Sequence, residues 1–363
     1  MKIAYFIDHL RPDGAQFVLK QLVEGMSTRG HQQVVFCLND SCDESVISNL
    51  RRLGAKVRII GKRALFMGYG LVSILHNLRR DHFDVAVTLL FAADIVGRVM
   101  GRAARVPRVV TSIQTHDEFY TPFQRWLERR TAHLSDLILI NSLQYRDFVI
   151  KEEGALPERL RLIYNSIRVS DYQNPVPREV LRAEFGLQSI TFVIGTVGRL
   201  TYQKGLDNLL QALALLSEDI HLILVGVGEE ETRLRLQAAS LGLEDRVHFA
   251  GYRRDIPDII GAFDLYIQSS RYEGMPIVVL EAMAAGCPII ATAVDGTRDL
   301  IQDGIHGWLV PPDDPTHLAQ AITIARNNYS EARRRGSAAK QRAVHQFNQD
   351  VILDAWEKAF RGE

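Results

Sequence analysis

A chain of 363 residues is long enough for two domains that each bury a core, and 47% hydrophobic with 24% charged residues is the balance of a soluble globular protein. The longest apolar run, residues 85–93, is too short to cross a bilayer, and three cysteines (Cys37, Cys42, Cys287) at no metal-ligand spacing support neither a disulfide framework nor a zinc site. The net charge of zero conceals a division: residues 1–168 carry 24 Lys and Arg against 17 Asp and Glu, a balance of +7, and residues 169–363 carry the opposite. The halves therefore face different partners or each other.

Residues 2–8 have too short an apolar core for a signal peptide and end on Asp8, so they read as a first buried strand, and the cytoplasm is the expected compartment. The turn RPDGA at 11–15 leads into a helical pattern of Phe17, Leu19, Leu22, Val23 and Met26. Gly14 would let backbone approach a ligand there, although an ordinary turn explains a single glycine equally well. Apolar runs at 33–38, 56–60, 85–90, 109–113, 137–141 and 160–164 alternate with helical segments, the signature of a parallel sheet covered on both faces. Directly after one of these strands comes the polar segment TSIQTHD at 111–117. Ligands of open α/β sheets sit at strand carboxyl ends, which makes His116 a candidate site residue against the plainer reading of a structural or solvated histidine.

Residues 168–178, with two prolines and no apolar period, read as a linker. The strand pattern then restarts at 191–197, 222–225, 247–251, 265–268, 289–293 and 307–310, giving a second doubly wound domain. Its first strand ends in GRLTYQKG at 198–205, where Arg199 and Lys204 can neutralise a diphosphate, Arg199 by a forked contact and Lys204 as a point charge. A solvated basic loop is the competing reading. The turn GVGEEE at 226–231 lacks the third glycine of a dinucleotide fingerprint.

Residues 271–292 (RYEGMPIVVLEAMAAGCPIIAT) organise the rest. Pro276 suits a helix's first turn and Gly286 followed by Pro288 stops it, so a helix is expected over 276–285. The stretch Gly274, Met275, Pro276, Ile277 and Val278 then presents free N–H groups and the positive end of the helix dipole to a phosphate. Glu273, just outside the helix, can hold a sugar hydroxyl, and Glu281, about a turn and a half inside, can accept from two vicinal hydroxyls of a ribose. Glu281 alone could equally be a helix-favouring residue. Apolar residues at helical spacing over 346–363 (Phe347, Val351, Ile352, Ala355, Trp356, Ala359, Phe360) predict a final helix that docks back on the first domain or packs on the second.

Taken together, Gly14, His116, Gly198-Arg199-Leu200 with Lys204-Gly205, and the Glu273 to Glu281 stretch resemble family 4 of the retaining glycosyltransferases over nearly the whole chain. The resemblance implies an α/β GT-B fold, two Rossmann-like doubly wound domains facing across a cleft. It implies an acceptor-binding domain over 1–168, with the terminal helix 346–363 crossing back to it, and a nucleotide-sugar-binding domain over 169–345. It implies a retaining transfer of a hexose or N-acetylhexosamine from a nucleoside-diphosphate sugar to an acceptor hydroxyl. In this reading Arg199 and Lys204 hold the donor diphosphate, Glu281 the ribose and Glu273 the donor sugar, which His116 touches from the other side while Gly14 closes over it. Members commonly carry two adjacent glycines where this chain has Asp13-Gly14, and Asn-Gly where it has Asn165-Ser166.

The same fold serves non-hydrolysing sugar-nucleotide 2-epimerases, and a degenerate, non-enzymatic sugar-binding subunit is a third reading, opposed by the intact Arg199, Lys204, Glu273 and Glu281. No cofactor and no metal are expected, since no Asp-x-Asp motif stands near the site. Nucleic acid is not an expected partner. The acceptor is expected to be lipid-linked or acidic, as in surface-polysaccharide assembly, because the first half is basic; a small soluble acceptor is the alternative. Lys62, Arg63, Arg79 and Arg80 bracket Leu65, Phe66, Met67, Tyr69, Leu71, Val72, Ile74 and Leu75, and Arg125, Trp126, Arg129 and Arg130 form a second cluster. Either these segments lie on the inner face of an anionic membrane, or their apolar residues are core and the charges a solvated rim.

Overall fold

The computed structural model describes residues 1–11, 14–114, 120–188 and 190–363, and the chain divides into two compact units, Met1–Ser166 with Gln349–Glu363, and Ile167–Asn348. The first unit carries a seven-stranded sheet of β1 (Lys2–Ile7), β2 (Gln32–Cys37), β3 (Lys56–Ile59), β4 (Val85–Leu89), β5 (Arg108–Ile113), β6 (Leu137–Ile140) and β7 (Leu160–Leu162). Its spatial order is β3-β2-β1-β4-β5-β6-β7, and all pairings are parallel. Alternate residues of each strand face opposite sides. Ile3, Tyr5 and Ile7 of β1 join one core cluster with Val35, Val87 and Leu139, whereas Ala4 and Phe6 join another with Val34, Phe36 and Ala86. Both faces being covered by helices is what makes these strands read as unbroken apolar runs.

The run 85–93 is not one element. The strand stops at Leu89, Leu90 takes φ 77°, and a new helix occupies Phe91–Ala103.

The last helix, Gln349–Arg361, belongs to the first unit: Ile352, Leu353, Trp356, Ala359 and Phe360 join the cluster that holds Ile3 and Leu19. Burial of Trp356 and Phe360 is worth roughly 1.5–3 kcal/mol each. The helix starts later than its apolar pattern suggests. Phe347 lies in a separate turn, Ala343–Phe347, and is buried in the second unit, with Asn348 in extended backbone between them.

The second unit's sheet comprises β8 (Phe192–Val197), β9 (Ile220–Val225), β10 (Val247–Gly251), β11 (Leu265–Gln268), β12 (Ile289–Thr292) and β13 (Trp308–Val310), in the order β10-β9-β8-β11-β12-β13, again parallel throughout. Residues 168–178 are a solvated linker only in part: 170, 171 and 173–177 are exposed. Val169 and Tyr172 are buried in a short 3-10 turn, and Arg178 already opens the helix Arg178–Glu184. The prolines there end one turn and start the next without freeing the chain. The Asn165-Ser166 turn needs no left-handed residue, because the Ser166 hydroxyl donates to Gln21 Oε1 at 2.7 Å and the Gln21 amide donates to the Ser166 carbonyl at 3.0 Å.

Candidate active site

In each sheet the strand order reverses beside the first strand, so the switch points lie between β1 and β4 and between β8 and β11. Ligand crevices of open α/β sheets form at the carboxyl ends of such strand pairs. In the second unit, those ends run into residues 198–205 and 269–276, the two stretches marked out by their sequence.

The first loop is set by close backbone packing. Gly198 N–H donates to the Val225 carbonyl at 2.9 Å, and a Cβ on Gly226 would meet the Gly198 carbonyl oxygen at 1.9 Å. The 226–231 turn thus supports the β8 loop by packing, where a phosphate fingerprint was discounted. Gly205, at φ 57°, lets Ser269 come so near that a Cβ there would meet the Ser269 carbonyl oxygen at 2.2 Å. Arg271 fixes the second loop to the first: it forms a two-pronged pair with Asp207 at 2.9 and 3.0 Å, lies 4.1 Å over the Tyr202 ring, and its N–H donates to the Gln203 carbonyl.

Upon this frame Lys204 Nζ meets Glu273 Oε1 at 2.6 Å, and the Ser270 hydroxyl donates to the same oxygen at 2.6 Å. The Gln203 amide approaches Oε2 at 3.4 Å. Glu273 is 8% exposed, so its charge is largely desolvated and would be left uncompensated without Lys204. Lys204 is therefore already engaged, where the sequence suggested a free point charge. Arg199 is exposed, and its side chain has no hydrogen-bond or ion-pair partner among the described residues.

The helix that follows is Ile277–Ala285, with Pro276 as its cap and not its first residue, at φ −70° and ψ 109°. The Pro276 carbonyl accepts from Val279 and Leu280, which leaves the N–H groups of Ile277 and Val278 without a partner among the described residues. Gly286 ends the helix at φ 72°. The Gly274-Met275 backbone rests against Gly296, where a Cβ would meet the Gly274 oxygen at 1.4 Å.

Glu281 accepts a 3.1 Å hydrogen bond from the Tyr172 hydroxyl. Burial pushes its carboxyl up to about 7, with the Tyr172 bond acting in the opposite direction. The Tyr172 phenol is itself raised, first by burial and then by the charge of Glu281. Fully buried Tyr266 is raised by burial and then by the charges of both Glu281 and Glu273, so it stands where both carboxylates act on it.

Tyr172, Tyr266, Ser270 and Gln203 were missed in the sequence. Ser270 adjoins the carboxyl end of β11 and was legible on that ground. Tyr172 lies 109 residues from its partner, and nothing local announces it.

The first unit's switch point is different. A pocket of ≈ 200 Å³ is lined by Asp8, His9, Asp94, Gln114, Tyr120 and Glu128, among others. Asp8 caps the helix Phe91–Ala103, accepting from the N–H groups of Ala93 at 2.6 Å and Ala92 at 3.1 Å; burial raises its carboxyl and these bonds lower it. Asp94 is raised well above the usual carboxylate range by burial, against the pull of Arg98. Arg98 pairs with Glu128 and donates to Thr111 at 3.0 Å, while the second Glu128 oxygen lacks a partner among the described residues. Gly14 opens the helix Gly14–Thr28, exposed, with open space where a Cβ would stand. His116 lies outside the described residues.

The segment 62–80 divides between core and surface: Ile74 and Leu78 are buried, whereas Phe66 is 92% exposed, Met67 65%, Tyr69 58% and Val72 68%. Phe123 and Trp126 are also exposed and stack, their centroids 5.9 Å apart, with Arg130 5.7 Å from the Trp126 ring. No helix among the described residues is long and apolar enough to cross a membrane.

Residues 12–171 match the model of Glycosyltransferase Family 4, and residues 177–342 match that of Glycosyl transferases group 1. The chain belongs to glycosyltransferase family 4. The glycosyltransferase is 28% identical over 352 residues to the alpha-D-kanosaminyltransferase of Streptomyces kanamyceticus, which covers 84% of this chain and 88% of that one. It is 27% identical over 265 residues to an Escherichia coli UDP-Gal:alpha-D-GlcNAc-diphosphoundecaprenol alpha-1,3-galactosyltransferase, covering 69% and 68%. HepE of Anabaena, solved in complex with UDP, superposes with a TM-score of 0.89 over 100% of both chains at 24% identity. That superposition and others like it establish the GT-B fold.

Proposed function

We propose that this glycosyltransferase moves a hexose or N-acetylhexosamine, with retention, from a nucleoside-diphosphate sugar to an acceptor hydroxyl. The observation that carries the reading is the convergence at the β8/β11 ends of Arg199, the Lys204–Glu273 pair and the open N-terminus of Ile277–Ala285. A departing diphosphate gathers negative charge as the bond to the anomeric carbon lengthens. Arg199, Lys204 and the N–H groups of Ile277 and Val278 are placed to stabilise that charge, the term that dominates most such catalysis. Lys204 would turn from Glu273 toward the phosphates, and Glu273 would then accept from a donor-sugar hydroxyl. Glu281, beside the Tyr172 hydroxyl, would hold the ribose. These groups supply the positive charge in place of a metal, and no cofactor is needed.

Retention follows the family, with the leaving phosphate taking the acceptor proton at the face from which it departs. His116 would contact the donor sugar, and Gly14, at a helix start in the first unit, would approach the ligand by its backbone. The first unit would bind the acceptor and Ile167–Asn348 the donor. A lipid-linked acceptor in cell-surface polysaccharide or glycolipid synthesis is supported by the diphosphoundecaprenol-linked acceptor of the Escherichia coli relative, and by exposed Phe66, Met67, Tyr69 and Val72 among Lys62, Arg63, Arg79 and Arg80. Such a surface can hold a cytoplasmic enzyme peripherally at an anionic membrane, each basic residue contributing about 1 kcal/mol.

The test is calorimetry with a panel of nucleoside diphosphates, followed by donor turnover with and without undecaprenyl-diphosphate sugar in vesicles. Tight binding of one nucleotide, slow hydrolysis alone and acceptor-dependent release are expected. Conversion of the donor to its 2-epimer without acceptor would overturn the transfer reading in favour of an epimerase. Failure to sediment with anionic vesicles at low salt would remove the membrane contact.

A further inference from the structure

The first unit holds a pair of thiols that the site above does not use. Cys37 ends β2 and is fully buried, while Cys42 is partly exposed, and their sulfurs stand 3.3 Å apart. Both thiols point at one acceptor, the Asn39 carbonyl, each at 3.3 Å. The intervening turn is held from within: the Asn39 side chain accepts from the Ser41 N–H at 3.1 Å, and the Cys42 N–H donates to the Asp40 carbonyl at 3.0 Å. Cys42 is also bridged to Leu10, and the Asp43 N–H donates to the Leu10 carbonyl at 2.8 Å. The backbone thus presents the two side chains to each other.

We infer that Cys37 and Cys42 form a closable dithiol, a modification site at which a small-molecule disulfide oxidises the two thiols to an intramolecular bond. A disulfide is about 2.05 Å long, so closure needs an approach of roughly 1.2 Å. The steps balance as follows. Cys42, the accessible thiol, loses its proton and attacks one sulfur of the oxidant, which expels a thiolate and leaves a mixed disulfide on Cys42. Cys37 then loses its proton, attacks the Cys42 sulfur and expels the second thiolate. Two protein thiols are oxidised and one disulfide is reduced to two thiols. Burial and the neighbouring Cys42 push the Cys37 thiol up to about 12, so Cys37 offers little thiolate and the accessible Cys42 is the one that meets the oxidant first. Cys287 lies in the other unit, buried near the Phe263 carbonyl, and takes no part. The new bond would tie the end of β2 to the segment paired with Leu10, close to Asp8 and His9, which line the first unit's pocket.

The full native chain is treated with oxidised glutathione, alkylated under denaturing conditions and weighed intact. The expected product has lost two hydrogens, keeps one alkylatable thiol, and yields a linked Cys37 to Cys42 peptide. Dithiothreitol reverses it. A second probe is phenylarsine oxide, which bridges paired thiols: one arsenical per wild-type chain and none on Cys42→Ser, a change at a partly exposed position. Three alkylatable thiols after oxidation, a glutathione retained on Cys42, or a bond between chains would each overturn the inference.

Discussion

The two sheets share one strand order up to the sixth strand, yet their switch points are built for opposite charges. Between β1 and β4 the pocket gathers Asp8, Asp94 and Glu128, with the charge of Glu128 answered by Arg98 from behind. Between β8 and β11 the loops carry Arg199, the Lys204–Glu273 pair and a helix start without a side-chain cap. This is the reverse of the charge balance along the chain, where the first half is basic and the second acidic. Net charge reports the outer surface, such as the cationic rim around Phe66 and Trp126, whereas ligand chemistry is set by the few groups at the strand ends. On the proposed reading a hydroxyl-bearing ligand would occupy the first end and a diphosphate the second.

The comparison breaks most visibly if the cations are removed. Arg199→Ala with Lys204→Ala should lower kcat/KM by about 10²- to 10⁴-fold, from two charge-assisted contacts of roughly 1.5–3 kcal/mol each. Lys204→Ala also leaves nearly buried Glu273 without its cation, so melting temperature is read in parallel. Arg199→Ala, at an exposed residue whose side chain has no partner among the described residues, should keep the wild-type melting point while losing activity. Unchanged kinetics in the double variant would show that the diphosphate is held elsewhere.

Glu281 sharpens the contrast, because burial brings its titration to neutral pH. Its folded value of about 7 lies above the unfolded 4.5, so the folded chain keeps a proton that the unfolded chain has released. Stability from this group is complete below pH 4.5 and is lost as pH rises to about 7, by at most about 3 kcal/mol. Glu281→Gln should therefore melt higher than wild type at pH 8 and alike at pH 4. A ribose held by the ionised form requires nucleotide affinity to fall by up to about tenfold per pH unit below 7. The Gln variant should bind more weakly at pH 8 and lose that part of the pH dependence, as calorimetry from pH 6 to 8 would show. An equal slope in both proteins would remove Glu281 from the binding equilibrium.

Much of this architecture was legible because parallel strands covered on both faces must be continuously apolar, and because Gly205 and Gly286 mark backbone that only glycine adopts easily. The helix after Glu273 was placed to within one residue. What escaped notice was long-range: the Tyr172 contact with Glu281, 109 residues away, and the Lys204 bond that holds Glu273, 69 residues away. The proline-containing stretch 168–178 misled because proline marks a turn equally well in a linker and in a packed segment. Phe347 fitted the helical period of 349–361 while belonging to the other unit, since periodicity cannot say where a helix is interrupted.

The smallest expected effect tests the contrast from the other side. If a divalent ion were needed for the leaving diphosphate, it would take phosphate and water oxygens and be anchored by one or two carboxylates, such as the Asp8, Asp94 and Glu128 that the first unit's switch point holds. At the second, Glu273 is occupied by Lys204 and Ser270, and no group of three or more metal-ligating side chains is assembled among the described residues. On the proposed reading the cations and the helix N-terminus supply the charge that an ion would bring. Transfer should therefore proceed at an unchanged rate after dialysis against a chelator, and added magnesium or manganese should not raise it. A rate that collapses on chelation and returns with either ion would mean that Arg199, Lys204 and the helix start do not suffice, and the division of charge between the two sheet ends would no longer explain where the donor binds.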